Sequence, residues 1–343
     1  MKLQTISSEC SRREFLRKAA IGSTFFAIAA SSPLGKLVAG STAFGNPGFT
    51  YRYSSFSVKH VEEIRDWFEG LKKDKKMGSN ATFLSYTAFG FDPGKILANA
   101  RSAIIVARKH GMASVTFRVK GKDIIMIIPS GYWDDGFSID QAKEFLKKDV
   151  FNGRDVVLEW SKLPLKTSAV RSGLAEYGLN NISFVKEFGS YHQLLGFYTD
   201  QEMEDQWGPF KTMRYCKGCS ICKKACPIKC IRDEEFVIDV DHCLTLYNEL
   251  PDAFPDWIPA SAHHALVGCT KCQWDCPANK PYNNQVENLA VLTEEETDLI
   301  LGQSKDETLQ KQIQEKLKKY PSVADFNYFR RNARLALTNL IKA

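Results

Sequence analysis

The chain has 343 residues, enough for one large domain or two ordinary ones. Hydrophobic residues make up 44% and charged residues 25%, which excludes fibrous, low-complexity and largely disordered classes. The formal net charge is +6 and much of it lies in residues 1–40, so we expect a solvated surface of mixed charge rather than a nucleic-acid-binding patch.

The N-terminal segment has the pattern of an export signal. Arg12 and Arg13 are followed by Glu-Phe-Leu, then by an apolar run from Ala19 to Ala30 and by small residues. The run is shorter than the roughly 20 residues that span a membrane. The arginine pair resembles a twin-arginine signal, which predicts export of a folded protein to the periplasm or the outer face of the cytoplasmic membrane. We assign residues 1–43 to this signal; an uncleaved anchor and a basic amphipathic helix are the alternatives.

Residues 44–210 combine helical and strand patterns. The predicted elements are an amphipathic helix over 61–71, a buried strand over 104–106, two strands within 115–128 joined by a glycine turn, and a helix from Ser138 to Lys148. Ser138 and Gln141 form a capping box that opens the last of these helices. This segment is therefore predicted to be an α+β domain.

Cysteines are confined to one part of the chain. Of the 10 cysteines, Cys10 lies in the leader and all others lie from Cys216 to Cys276, which indicates one local site rather than dispersed disulfides. The run Cys-x2-Cys-x2-Cys-x3-Cys-Pro that ends at Pro227 is the bacterial ferredoxin pattern, in which the fourth cysteine serves a neighbouring cluster. A second run, which ends at Pro277, lacks one cysteine of that pattern. Zinc, which more often uses separated CxxC pairs, and disulfides are the alternatives.

The two runs predict two [4Fe–4S] clusters that exchange ligands. The first cluster is predicted to take Cys216, Cys219, Cys222 and Cys276. The second is predicted to take Cys226, Cys243, Cys269 and Cys272. Cys230 is left over and is predicted to pack as a small buried residue.

Four histidines could in principle bind metal, and we expect surface or supporting positions for them. They are His192, His242, His263 and His264. His242 adjoins Cys243 and is predicted to tune a cluster by hydrogen bonding.

A ferredoxin-like segment over 211–284 is followed by a helical extension over 285–343. Helix-start patterns occur at Thr293 with Glu296, at Ser304 with Glu307 and at Ser322 with Asp325. They predict a helix pair and a final helix from Ser322 to Ile341 that packs on the domain.

Three further segments accompany the cysteine runs: RSGLAEYGLNN from Arg171, GSYHQLLGFYTD from Gly189 and RRNARLALTNL from Arg330. This order resembles the corrinoid-dependent iron–sulfur reductases, which comprise epoxyqueuosine reductases and reductive dehalogenases. The resemblance implies an α+β fold with a nitroreductase-like, cobalamin-type domain ahead of the two-cluster domain. It also implies that the clusters pass electrons to a corrinoid, which then reduces the substrate.

The resemblance also implies corrinoid contacts. The matching positions are Arg171, Gly173, Gly178, Asn180, Gly189, Ser190 and Tyr191. The chain departs from the family at Ala175, Glu176 and Leu179, and residues 160–163, directly before Pro164, include no acid, whereas epoxyqueuosine reductases carry a catalytic aspartate there. We therefore assign no catalytic residue. Tyr132, Asp134 and Asp135 are either candidate acids or parts of a polar turn.

The main functional hypothesis is an exported reductase of a small molecule, such as an organohalide, that uses two clusters and a corrinoid (cobalamin). One alternative is a corrinoid-free electron-transfer protein, and another is tRNA modification like that of epoxyqueuosine reductases. The expected partners are a small-molecule substrate and a redox partner or membrane electron donor, with membrane association through that partner or an uncleaved leader. No nucleic acid partner is expected.

Overall fold

The computed structural model describes residues 39–41, 50–232 and 237–342, so Cys10 and all of the predicted export signal except residues 39–41 lie outside the described residues. The strands are β1 (Ala39–Ser41), β2 (Thr50–Ser57), β3 (Ser102–Lys109), β4 (Met112–Val119), β5 (Lys122–Ile128), β6 (Leu158–Trp160), β7 (Ala175–Tyr177), β8 (Ser183–Val185), β9 (His192–Thr199) and β10 (Val286–Leu292). The α-helices are α1 (Val61–Lys73), α2 (Ala81–Tyr86), α3 (Ile139–Phe145), α4 (Leu165–Arg171), α5 (Ile221–Ala225), α6 (Leu244–Glu249), α7 (Lys271–Trp274), α8 (Glu294–Leu301), α9 (Glu307–Lys316) and α10 (Phe326–Lys342).

An antiparallel five-stranded sheet forms the first core, in the order β1-β2-β3-β9-β6. Both faces of this sheet are covered. Successive residues of β3 alternate between the two faces, so Ile105 packs with Ile64 of α1, whereas Ile104 packs with Phe145 of α3. At Gly196 of β9 the absence of a side chain leaves room for α4, because a Cβ there would collide with Ser161 and Leu165.

A three-stranded sheet, in the order β10-β4-β5, forms the second core with the C-terminal helices. β10 runs parallel to β4, with Val286 opposite Met112. Phe117 of β4 packs in one cluster with Ile300 of α8 and Phe329 of α10. The predicted helical extension therefore contains a strand, and it completes a core whose other half lies far upstream in the chain.

Most local predictions are confirmed, and two helix starts are corrected. The helix over 61–71, the strand pair within 115–128 and the capping boxes at Ser138 and Thr293 are all present. The helix predicted to open at Ser304 is instead capped by Asp306, whose carboxylate accepts from the N–H groups of Thr308 and Leu309. Ser322 lies in a 3-10 turn after Pro321, so the last helix begins at Phe326.

The cysteine segment lies between the two cores. It enters beside the β7–β8 hairpin, where Tyr177 bridges to Thr212, and it leaves into β10. The hairpin and the start of β9 therefore face the cysteines directly.

Within the described ranges no helix is both long enough and apolar enough to cross a membrane.

Candidate functional site

The structure brings together the first predicted set of four cysteines. Cys216 ends a 3-10 turn and Cys222 lies on α5, while Cys276 follows α7. Burial raises the pKa of Cys222 to about 11, and the thiolates of Cys216, Cys276 and Cys219 contribute to that rise. Charge effects of this kind act between nearby groups, so the four cysteines lie in the same region of the molecule.

The second predicted set also converges. Burial raises the pKa of Cys269 to about 12, with further contributions from the thiolates of Cys243 and Cys226. The pKa of Cys272 lies well above its usual value because of burial and the charges of Cys269 and Cys243. Three thiols from the two sequence runs and Cys243, which lies between the runs, therefore meet at a second position.

All nine cysteines in the described residues are free thiols. No three His, Cys, Asp or Glu side chains among those residues converge closely enough to bind one metal ion. A cubane cluster spreads its four thiolate ligands over separate corners, so its ligands lie farther apart than those of a single ion.

Cys230 was predicted to be a small buried residue. It is buried, and its side chain contacts other cysteines. Its Sγ lies 3.5 Å from the Sγ of Cys226, and it also interacts with Cys243. Cys230 is therefore a fifth thiol beside the four of the second set. The cysteine spacing did not predict this contact, because the two predicted sets were complete without Cys230.

The histidine nearest a candidate ligand is not the predicted one. His264 Nε2 lies 3.6 Å from the Sγ of Cys269, and its Nδ1–H donates to the carbonyl of Ala262. His242 instead pairs with Asp239 at 3.1 Å. His263 packs edge-on against Phe254. Adjacency in sequence to Cys243 was a poor guide, since the 3-10 turn that ends at His242 directs it elsewhere.

Two of the seven residues matched to corrinoid contacts line a cavity beside the cysteines. These are Asn180, whose amide donates to the carbonyl of Cys272 at 3.2 Å, and Ser190, whose hydroxyl donates to Gln273. Arg171 instead pairs with Glu63 and stacks over Trp207, 4.2 Å from the ring centre.

The other matched positions serve contacts within the protein. Tyr191 is buried and donates to Asn283. Gly173 has a φ of +75° where α4 ends. A Cβ on Gly178 would meet Phe184 at 2.7 Å, and one on Gly189 would meet Tyr282 at 2.7 Å. The role of these residues towards a corrinoid stays a prediction.

The cavity has a volume of about 540 Å³, within the range of small-molecule sites. It lies between the β7–β8 hairpin, the start of α4 and the second cysteine set. Its polar lining groups are Ser130, Tyr132, Lys166, Asn180, Asn181, Ser183, Ser190, His192, Thr245 and Gln273. Four of its thiols are Cys226, Cys243, Cys269 and Cys272. A ligand bound here would therefore border the second cysteine set directly.

Two of the candidate acids in the SGYWDDG turn are engaged in pairs. Tyr132 lines the cavity, and its hydroxyl donates to Glu249. Asp135 forms an ion pair with Arg108, whose side chain is 1% exposed. Asp134 accepts from the N–H of Gly136 within the same turn.

Residues 215–279 match the family model of the 4Fe-4S double cluster binding domain. In curated sequences, an epoxyqueuosine reductase of Cyclobacterium marinum is 27% identical over 245 residues, which cover 68% of this chain and 76% of the relative. These similarities support a 4Fe-4S-binding segment and favour epoxyqueuosine reductases over dehalogenases as relatives.

Solved structures share the fold. The epoxyqueuosine reductase of Streptococcus thermophilus has a TM-score of 0.57 and 16% identity, over 97% of this chain and 81% of that one. An epoxyqueuosine reductase solved with an epoxyqueuosine-modified tRNA-Tyr stem loop has a TM-score of 0.58 and 17% identity, over 85% of this chain and 78% of that one. The prediction that excluded a nucleic acid partner is therefore wrong; it relied on the mixed surface charge, on the predicted export and on the missing aspartate before Pro164. In sequence and in fold, the chain is similar to epoxyqueuosine reductases.

Proposed function

We propose that this chain is an iron–sulfur reductase that removes the epoxide oxygen from a modified nucleoside of tRNA. The observation that carries the proposal is the second set of four thiols on the wall of the cavity, since an electron leaving that set would enter the cavity directly. The likeness to epoxyqueuosine reductases supplies the substrate class.

Each thiol set fits a [4Fe–4S] cluster. A cubane requires four thiolates, and each predicted set provides four cysteines that influence one another electrostatically. Burial raises the pKa of several of these thiols, so iron must bind to hold them as thiolates, as metal binding generally does. We assign two clusters on this basis.

The reaction requires electrons and protons in equal number. Conversion of an epoxide to an alkene takes two electrons and two protons and releases one water. Because each cluster passes one electron at a time, an external one-electron carrier protein must deliver two electrons in succession. The residues of the cavity have to hold the oxygen and supply protons to it.

The cavity lining is chemically compatible with a corrinoid, whose rim carries amide side chains. The amides of Asn181 and Gln273 and the hydroxyl of Ser130 could hold such groups by hydrogen bonds. A corrinoid bound there would supply a strongly reducing cobalt centre next to the second cluster.

The first cysteine run has features suited to RNA. Residues 211–232 contain seven Lys and Arg and no Asp or Glu. Tyr215 in that stretch is 77% exposed. Cations neutralise phosphates, and exposed aromatic rings stack on bases, so this segment supports binding of a tRNA loop.

The test is conversion of epoxyqueuosine-containing tRNA by anaerobically purified, cluster-loaded protein with a low-potential reductant, with and without cobalamin. Mass spectrometry of the digested nucleosides should show loss of one oxygen. The matched control uses tRNA that carries no epoxide. Fully loaded protein that neither binds nor converts the tRNA would exclude this function.

A second candidate is an exported reductase of a small molecule, and the twin-arginine pattern in the leader favours it. Export would separate the protein from tRNA. Replacement of both Arg12 and Arg13 by lysine keeps the charge but removes the guanidinium pair. Retention of this variant in the cytoplasm, with the wild type exported, would favour the second candidate; a cytoplasmic wild type would exclude it.

A further inference from the structure

Among the described residues, the ionisable groups that line the cavity include one cationic side chain and no carboxylate. No Asp or Glu of the described residues lines it, and Lys166 is the one Lys or Arg of the described chain that does. The other titratable lining groups are Tyr132, His192 and the thiols Cys226, Cys230, Cys243, Cys269 and Cys272. A reaction that consumes protons in this cavity must draw them from these groups or from water.

Lys166 is held in place for such a role. It lies in the first turn of α4, and its Nζ donates to the carbonyl of Asn181 at 3.0 Å and to the side-chain oxygen of Asn181 at 3.3 Å. Asn181 has a left-handed φ of 58°, and both its carbonyl and its side-chain oxygen accept from the same ammonium. An ammonium has three N–H donors, so one is left for a ligand in the cavity.

The other lining groups are poor proton donors. Both ring nitrogens of His192 are occupied, Nδ1 by the carbonyl of Gly189 and Nε2 by the hydroxyl of Ser183. Burial lowers the pKa of His192 to about 4, so the ring is neutral near pH 7. The hydroxyl of Tyr132 donates a hydrogen bond to Glu249, and burial holds the pKa of Tyr132 well above its usual value.

Lys166 has both the proton and access to water. Its surroundings lower its pKa to about 8 by burial, an effect that the charge of Cys243 opposes. The residue is nevertheless exposed to solvent. Near pH 7 it therefore carries a proton, and after giving that proton away it can regain one from solvent.

We propose that Lys166 is the proton donor to the oxygen atom of the substrate. This assignment rests on the proposed function. In the step, both C–O bonds of the epoxide break and a C=C bond forms, as two electrons arrive one at a time from the external carrier through the clusters. One proton passes from Lys166 Nζ to the oxygen and a second comes from water in the cavity, so the products are an alkene and one water.

The experiment compares Lys166→Met and Lys166→Arg with wild type, under single-turnover conditions over a pH series. Lys162→Met is the matched control, because Lys162 is an exposed lysine of the adjoining loop and does not line the cavity. Lys166→Met should lose about 10²–10⁴-fold in rate, the usual contribution of a general acid. Iron content and the rate of cluster reduction should stay at the wild-type values.

The pH profile separates proton donation from a structural role. The wild-type rate should fall as pH rises through the pKa of Lys166, since only the protonated amine donates. Lys166→Arg should be slow and lack this alkaline limb, because guanidinium keeps its proton. The limb should coincide with the titration of Lys166 followed by NMR of lysines labelled at Cε, with the signal identified by its loss in Lys166→Arg.

The outcomes are distinguishable. A Lys166→Met protein that turns over at the wild-type rate, or that keeps the alkaline limb, overturns this assignment and leaves the proposed function standing. A loss of rate that accompanies a loss of iron also overturns it, since the lysine would then be structural. Loaded wild-type protein that converts no epoxide overturns both.

Discussion

The sulfur atoms of Cys226 and Cys230 lie 3.5 Å apart, so a thiol outside the predicted ligand sets adjoins one inside them. If Cys226 is replaced by alanine, Cys230 is close enough to take its place with a small movement. We expect Cys226→Ala to retain a second cluster with an altered EPR signal. Cys230→Ala should leave both clusters unchanged, because the four thiolates of the second set remain.

The double variant Cys226→Ala/Cys230→Ala tests this substitution of ligands. It should lose the second cluster and retain about four of about eight iron atoms, the content of one Cys₄ cubane. A single Cys226→Ala variant that already loses four iron atoms would contradict the replacement by Cys230.

Cys276 should serve the first cluster although it lies in the second run. Its nearest charged neighbours include Cys216 and Cys219, which contribute to raising its pKa after burial. Cys276→Ala should therefore abolish or convert the cluster held by the first run and leave the other spectrum intact. Cys272→Ala, four residues earlier in the same run, is the matched comparison and should damage the second cluster instead.

The buried ion pair between Arg108 and Asp135 should stabilise the fold strongly. Their side chains are 1% and 12% exposed, so Asp135→Ala leaves a buried guanidinium without its carboxylate. We expect the free energy of unfolding to fall by about 3–5 kcal/mol. Asp123→Ala is the control, since both members of the Arg118–Asp123 pair are 56% exposed and such pairs contribute about 0–1 kcal/mol. Anaerobic thermal unfolding measures the loss of stability in each variant, and unchanged iron content shows that the clusters are intact. Equal losses in the two variants would contradict the prediction.

Gly189 should matter more than its left-handed conformation alone requires. Gly189 and Gly153 have φ values of +62° and +76°, so alanine at either position meets the same backbone cost of about 1–2 kcal/mol. A Cβ on Gly189 would also displace Asn279 and Tyr282, whereas nothing lies within 4 Å of one on Gly153.

Gly189→Ala should therefore lower the unfolding midpoint more than Gly153→Ala. It should also reduce the iron content, because Asn279 closely follows Cys276 in the chain. Equal midpoints and equal iron contents in the two variants would show that this contact is easily rearranged.

Local patterns allowed much of the fold to be predicted, and long-range contacts account for what was missed. The capping boxes at Ser138 and Thr293 depend on residues three apart, so they are visible in the sequence. β10 was missed because it has no alternating pattern, and its partner β4 lies far upstream.

The candidate site likewise combines features that could be predicted from the sequence with features that could not. The cysteine spacing predicted a 4Fe-4S-binding segment, which the family model over residues 215–279 supports, and the division of the cysteines into two ligand sets stays a prediction. Lys166 could not be singled out, because a lysine in the first turn of a helix normally faces solvent. Its importance depends on Asn181 and on a cavity lining that contains no carboxylate among the described residues, and both are visible only once the chain has folded.

The predicted exchange of ligands between the two cysteine runs would constrain when the clusters can form during synthesis. The five-stranded sheet has all its strands once Thr199 has been made, before the first ligand, Cys216, is added. With the assigned sets, the second cluster cannot be completed before Cys272 is made, nor the first before Cys276. Val286, where β10 begins, follows shortly afterwards and lets the second core close. We therefore expect iron insertion and closure of the C-terminal core to belong to the same late stage, after all strands of the five-stranded sheet have been made.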